Sequence, residues 1–216
     1  MIDAVILPMQ RRLLHPPARV LARLGVSPDA ITLAGFAIGS LALPLLALGF
    51  FGAALVAVLL NRLMDGLDGA VARITGPSDR GAFLDIALDF VFYALVPLGF
   101  ALAAPDANAL PAAVLIAAFV GTGSSFLAFA AVIAREGRAA PAYPTKGIYY
   151  LGGLTEGFET VALFILMCLF PVHFPVLAYI FAAACALTTL TRWRQGWVAL
   201  GGAGMTSVQD RPEESP

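Results

Sequence analysis

Charge is scarce in this sequence. Only 12% of its 216 residues are Asp, Glu, Lys or Arg, while 60% are hydrophobic; a soluble domain carries about 25% charged residues. No soluble core of this length has room for so much apolar side chain, so the bilayer must be the solvent for most of it. The net charge is -1 and there is no long basic stretch, which excludes nucleic acid as a partner. Cysteine is nearly absent: Cys168 and Cys185 both sit in apolar runs, read as small buried hydrophobes, and imply neither a disulfide nor a zinc framework. His15 and His173 are isolated, so neither is given a metal role. A charged start, short apolar core and cleavage site do not follow one another at the N-terminus, so no signal peptide is expected. Nor is there an internal repeat of the kind that marks many transporters.

What is present is a series of apolar segments near residues 30–49, 52–73, 81–104, 108–133, 147–170 and 175–197. Each is about the 20 residues a helix needs to cross the hydrocarbon. The expected fold is therefore an all-α membrane protein with six transmembrane helices. Turn chemistry marks the joints: Gly49-Phe50-Phe51-Gly52, Pro105-Asp106-Ala107-Asn108, and Pro171-Val172-His173-Phe174-Pro175. Arg11, Arg12, Arg19 and Arg23 precede span one, Arg73 and Arg80 bracket the loop between spans two and three, and Arg135, Arg138 and Lys146 lie between spans four and five. Arg192, Arg194 and Arg211 close the chain, and the three opposite loops carry no Lys or Arg. This bias places both termini in the cytoplasm. Arg62 alone is left inside a span, either pairing with an acid or reaching for the surface.

Before span one, Leu13, Leu14, Val20, Leu21 and Leu24 are expected on one helical face and Arg12, Arg19 and Arg23 on another, with Pro17 in the first turn. This reads as an amphipathic helix on the cytoplasmic surface. Residues 1–29 then form a juxtamembrane segment, 30–198 the six-span domain, and 199–216 a polar, disordered tail. Tyr149, Tyr150, Trp193 and Trp197 fit an interfacial aromatic belt. Gly121-Thr122-Gly123-Ser124-Ser125 suits close helix packing.

Six acids fall within the spans: Asp65, Asp68, Asp85, Asp89, Glu156 and Glu159. A carboxylate at mid-membrane depth costs roughly 2.5–3.5 kcal/mol, so four unpaired aspartates cost on the order of 10 kcal/mol. Asp65 and Asp68 share a helical face by i,i+3 spacing, and Asp85 and Asp89 by i,i+4. A short loop makes spans two and three antiparallel neighbours, so the two acidic faces meet. Four converging carboxylates suit hard divalent cations, and two Mg²⁺ or Mn²⁺ ions would balance their charge. Gly69 and Ala72 share the face of Asp65 and Asp68, Gly81 lies one turn before Asp85, and Arg73 can reach a phosphate from the same side. Carboxylates with metals, a glycine-lined gap and an arginine together describe phosphoryl transfer.

The run Asp65-Gly66-Leu67-Asp68-Gly69-Ala70-Val71-Ala72-Arg73, followed by Gly81, Asp85 and Asp89, resembles the signature of the CDP-alcohol phosphotransferase family, D-x-x-D-G-x-x-A-R, a gap, then G-x-x-x-D-x-x-x-D. All eight fixed positions match, and the gap holds seven residues. The resemblance implies transfer of a substituted phosphate from a CDP-linked donor, such as CDP-diacylglycerol, to an alcohol, with release of CMP. It implies that Asp65, Asp68, Asp85 and Asp89 hold the metals and that Asp89 is the base that takes the acceptor's proton. Gly69 and Arg73 would contact the nucleotide or diphosphate, and Ser78 stands where the family often has a hydroxyl near the donor. Ser27-Pro28-Asp29-Ala30-Ile31-Thr32 resembles the family's P-N-x-x-T, which assigns Thr32 to the donor. Asp29 replaces the usual asparagine, and is either a nucleotide contact or a helix N-cap. Direct displacement is implied, with no covalent intermediate. Family members often form homodimers, though no interface is legible here.

Glu156 and Glu159, about 14–18 Å into span five at 1.5 Å per residue, line an acceptor pocket, orient a metal ligand, or are protonated and structural. Arg135 and Lys146 are candidates for a phosphate on the acceptor, although topology alone also accounts for them, as it does for Arg192 and Arg194. The acceptor itself is not readable. A bacterial plasma membrane, with the active site on its cytoplasmic side, is the expected location. The competing class is a proton- or cation-coupled transporter using intramembrane carboxylates; a third reading is a silent relative that binds CDP-lipids without turnover.

Overall fold

The structure, a computed structural model, describes residues 3–135 and 154–201. Among these the chain is helical and has no strand. In chain order the helices are α1 (Asp3–Arg23), α2 (Pro28–Ser40), α3 (Ala42–Ala47), α4 (Phe51–Thr75), α5 (Asp79–Ala103), α6 (Pro105–Arg135), α7 (Gly157–Leu169) and α8 (Phe174–Gly201), with one 3₁₀ turn at Pro171–His173. Lys146, Tyr149, Tyr150, the start of the expected fifth span and the tail from residue 202 lie outside the described residues.

Four stretches are long and apolar enough to cross a membrane: Pro28–Ala47, Asp79–Ala103, Pro105–Arg135 and Pro171–Gly201. The first is α2 and α3 in series, broken at Leu41. Pro44 has no N–H to offer the carbonyl of Ser40, and the Leu41 N–H turns to Ile38 O at 3.1 Å instead. α4 is 25 residues long but carries Arg62, Asp65, Asp68 and Arg73, so its composition is not that of an ordinary span. α7 is an apolar helix of 13 residues. It begins at Gly157, with Leu154 and Thr155 in a bend, so the expected continuous helix over 147–170 does not run through these residues.

Three other expectations are corrected. Pro105-Asp106-Ala107-Asn108 is not a turn but the first turn of α6, where proline's missing N–H loses nothing. Buried Asn108 fastens that corner by donating to Phe100 O at 2.9 Å. Pro17 does not open a helix either: α1 runs through Pro16 and Pro17, both exposed, where water or headgroups can satisfy the freed carbonyls. The expected single apolar face of α1 divides in two. Leu14 and Ala18 are buried against Ile31, Ala70 and Val71, with Leu21 packed beside them. Leu13, Val20 and Leu24 are exposed, about 100° round the helix from Leu14. Arg12, Arg19 and Arg23 are exposed as expected.

The core is aromatic. Phe92, Phe100, Phe164 and Phe174 are buried, and the Phe100 and Phe174 rings stack at 4.5 Å. Small residues let helices close up around it, as in other membrane bundles. Gly123 lies against the ring of Phe90 and Gly121 against Thr189. At Gly39 a Cβ would stand 2.8 Å from Asn61 Cβ, Cγ and Nδ2. Those atoms cannot swing away, because Asn61 Nδ2 donates to Gly35 O at 3.0 Å across the α2–α4 contact. Gly39→Ala should therefore destabilise the protein by about 1–3 kcal/mol, the usual cost of overpacking. A clear fall in thermal midpoint in detergent is expected; an unchanged midpoint would mean this contact yields more easily than its geometry indicates.

Candidate active site

Only residues 76–78 separate α4 from α5, and the first of them, Gly76, turns the chain out of the helix at a φ of 103°. Counting back from Thr75 at 1.5 Å per residue puts Asp68 about 10 Å and Asp65 about 15 Å from that end of α4. Counting forward from Asp79 puts Asp85 at about 9 Å and Asp89 at about 15 Å along α5. The antiparallel pair therefore carries two levels of acids, Asp68 with Asp85 and, deeper, Asp65 with Asp89.

Side chains complete the convergence. Asp65, Asp85 and Asp89, each half-buried, offer one carboxylate oxygen apiece within 4.8 Å of one another. Buried Asp68 lines the same small cavity and accepts a hydrogen bond from Thr32 Oγ1 at 2.5 Å. Thr32 comes from α2, so α2, α4 and α5 all contribute to the site. The cavity measures about 10 Å³, close to the least that holds one water. Oxygen ligands alone, negatively charged and at this spacing, fit a hard divalent cation.

Arg62 is part of the cluster. Its Nη2 lies 2.5 Å from Asp89 Oδ1 and its Nη1 3.4 Å from Asp89 Oδ2, with Asp65 3.7 Å away. Of the two readings left open for this arginine, pairing is the one observed, and one of the four aspartates' charges is offset within the chain. Asn61, which accepts from Arg62 Nε at 2.8 Å, and Tyr93, whose hydroxyl accepts from Nη1 at 3.3 Å, went unnoticed in the sequence. The signal was there for Tyr93: it sits one turn beyond Asp89, on the same face.

The remaining candidates are placed as follows. Arg73, exposed on the last turn of α4, folds back over Gly69, where a Cβ would meet its Nη1 at 3.4 Å. Ser78 caps α5, accepting from Gly81 N at 3.0 Å. The space left by Gly81 is filled from within the chain, since a Cβ there would lie 3.0 Å from Asp29 Oδ1 and 3.1 Å from Ser78 Oγ. Asp29 is not the N-cap of α2; Ser27 is, accepting from Ala30 N at 3.3 Å. Asp29 instead pairs with Arg80 at 2.6 Å and ties the start of α2 to the start of α5. Glu156 and Glu159 form a capping box at the start of α7. A Cβ on the next residue, Gly157, would lie 3.8 Å from the Tyr93 hydroxyl, so this helix start stands beside the cluster. Arg135 is exposed at the end of α6. Arg192, expected at a span end, is buried; it donates to Thr122 O at 3.1 Å and stands over the Phe126 ring.

The family model for CDP-alcohol phosphatidyltransferase matches residues 25–191, from the α1–α2 joint into α8. The chain belongs to the CDP-alcohol phosphatidyltransferase family. It is a multi-pass membrane transferase, and the activity that goes with membership is phosphatidyl transfer from a CDP-linked donor to an alcohol in phospholipid biosynthesis. Its relatives include the inner membrane protein YnjF of Escherichia coli (strain K12), 58% identical over 200 residues that cover 93% of this chain and 97% of that protein. Among solved structures it is similar to the phosphatidylinositol phosphate synthase PgsA1 of Mycobacterium tuberculosis with CDP-DAG bound, at a TM-score of 0.64 and 26% identity over 86% of this chain and 94% of that one. The same synthase in complex with manganese and citrate matches at a TM-score of 0.69 and 23% identity, over 85% of this chain and 88% of that one.

Proposed function

We propose that this transferase moves a phosphatidyl group from CDP-diacylglycerol to a polar alcohol, releasing CMP, at the cluster of Asp65, Asp68, Asp85 and Asp89. The observation that carries this is the approach of three motif carboxylates to within 4.8 Å, in a chain whose fold is similar to that of a synthase with CDP-DAG bound. When bound there, two divalent ions, Mg²⁺ or Mn²⁺, supply Lewis-acid stabilisation of charge on the diphosphate. The four aspartates would hold them. Asp89 takes the proton of the acceptor hydroxyl, which then attacks the phosphorus farther from the cytidine. Arg73 pairs with diphosphate oxygen, and Gly69 leaves space for it against α4. Thr32 orients Asp68, and Ser78 stands at the donor side of the opening. The acceptor side is assigned to Arg135, Lys146 and the start of α7, where Glu156 and Glu159 sit next to Tyr93. The fold reading that goes with this is six spans, α2 with α3 forming the first and α7 the end of the fifth. α1 then lies on the cytoplasmic surface of a bacterial inner membrane, its exposed Leu13, Val20 and Leu24 facing lipid, with both termini and the active site on that side. The catalytic domain begins at residue 30 and extends past the expected boundary at 198 to the end of α8 at Gly201.

The test is direct. Purified protein with Mn²⁺, CDP-diacylglycerol and a panel of alcohols should release CMP and form a new phospholipid identified by mass spectrometry. Binding of CDP-diacylglycerol without CMP release, across polyols, their phosphates and serine, would overturn the proposal.

A further inference from the structure

Arg62 lies 13 residues from the Thr75 end of α4, about 20 Å along the helix and deeper than any of the four aspartates. It therefore lies at the end of the cluster farther from the α4–α5 loop. A snorkelling arginine would extend toward a helix end. This one turns inward and is held on every side. Asn61 Oδ1 accepts from its Nε, and Asn61 is itself bonded to Gly35 O on α2. Its guanidinium lies 5.0 Å from the centre of the Phe92 ring and 5.5 Å from that of Tyr93. The side chain is 14% exposed. Both forward nitrogens face Asp89, one oxygen each.

A carboxylate offers about four lone-pair sites, and a two-pronged arginine takes two of them. The other two stay available for a metal ion or the acceptor's proton. The arginine thus fixes the plane of the Asp89 carboxylate without closing it. It also brings a permanent positive charge to the inner side of the cluster, where an arriving divalent ion must meet it. We propose that Arg62 is a resident counter-cation and positioning residue: it orients Asp89 for proton transfer and holds down the cluster's affinity for divalent ions. This rests on the reading of the aspartates as a metal site.

The test separates charge from geometry. Mn²⁺ binding to the purified protein without substrate, followed by electron paramagnetic resonance, should tighten by about tenfold or more in Arg62→Met. Coulomb's law gives an effect of that size for one positive charge about 5 Å from any divalent ion, even at water-like screening. Arg62→Lys, which keeps the charge and loses the fork, should bind Mn²⁺ nearly as the unaltered protein does. Both variants should lose about 10- to 100-fold in kcat for CMP release, a part of the roughly 10²- to 10⁴-fold that a general base contributes, with KM for CDP-diacylglycerol changed far less. If Arg62→Met does not fold, Arg62→Gln carries the same expectation for Mn²⁺. Unchanged Mn²⁺ affinity in a folded, uncharged variant overturns the proposal. The binding arm stands apart from turnover: unaltered protein that binds Mn²⁺ yet releases no CMP would sink the functional reading and leave the Arg62 comparison decisive on its own.

Discussion

Asp89→Asn is expected to abolish CMP release, by about 10²- to 10⁴-fold, the range for loss of a general base. Asparagine matches aspartate in shape and can still accept a hydrogen bond, but it cannot take a proton from the acceptor hydroxyl. The substitution has a second consequence. It leaves Arg62 with Asp65, at 3.7 Å, as its remaining anionic neighbour. Breaking a buried pair by removing one partner costs about 3–5 kcal/mol, and the half-buried Asp89 should show a part of that as a lower thermal midpoint. The double variant Arg62→Met with Asp89→Asn removes both charges together and should recover some of the lost stability while staying inactive. Turnover within tenfold of the unaltered enzyme in folded Asp89→Asn would exclude Asp89 as the base. Asp68→Asn should also fail, but for lack of a metal ligand, since Thr32 can still donate to the amide oxygen.

The acidic half of this site was legible in the sequence because helical spacing carries it. Residues three and four apart share a face and a three-residue loop returns the chain antiparallel, so Asp65, Asp85 and Asp89 come together, while Asp68 lines the same cavity bonded to Thr32 rather than joining the three. The ends of most of the expected apolar segments fall within a few residues of helix ends. What spacing does not encode is the partner that a long side chain selects. Arg62 could extend to either side of its helix, and only packing of α4 against α2 and α5, through Asn61, Phe92 and Tyr93, turns it toward Asp89. The same limit explains Gly81, whose missing side chain suggested room for a ligand but makes room for Asp29 and Ser78. It also bears on Glu156 and Glu159, where an acid inside an apolar run left a pocket, a metal ligand and a structural role open and gave no sign of the capping box that begins α7. Hydropathy cannot see a helix start at Gly157, because apolar side chains continue on both sides of it.

Removing divalent ions should stop turnover completely and also weaken the fold. Arg62 offsets one of the four aspartate charges, leaving about three negative charges around a cavity of about 10 Å³. At the reduced dielectric of a helix bundle such charges repel strongly unless a cation joins them. An ion that binds only the folded state stabilises it by mass action, by about 2.7 kcal/mol at a hundred times its dissociation constant. Mn²⁺ added to chelator-treated protein should therefore raise the thermal midpoint by several degrees, and restore CMP release over the same concentration range. Asp85→Asn lowers the repulsion and the ligand count together, so it should be more stable than the unaltered protein in chelator yet gain less from Mn²⁺. That crossing of the two stability orders is specific to a metal site, because a structural acid would shift both conditions alike. Full turnover in chelator, or a midpoint indifferent to Mn²⁺, would show that the aspartates come together for a reason other than binding a cation.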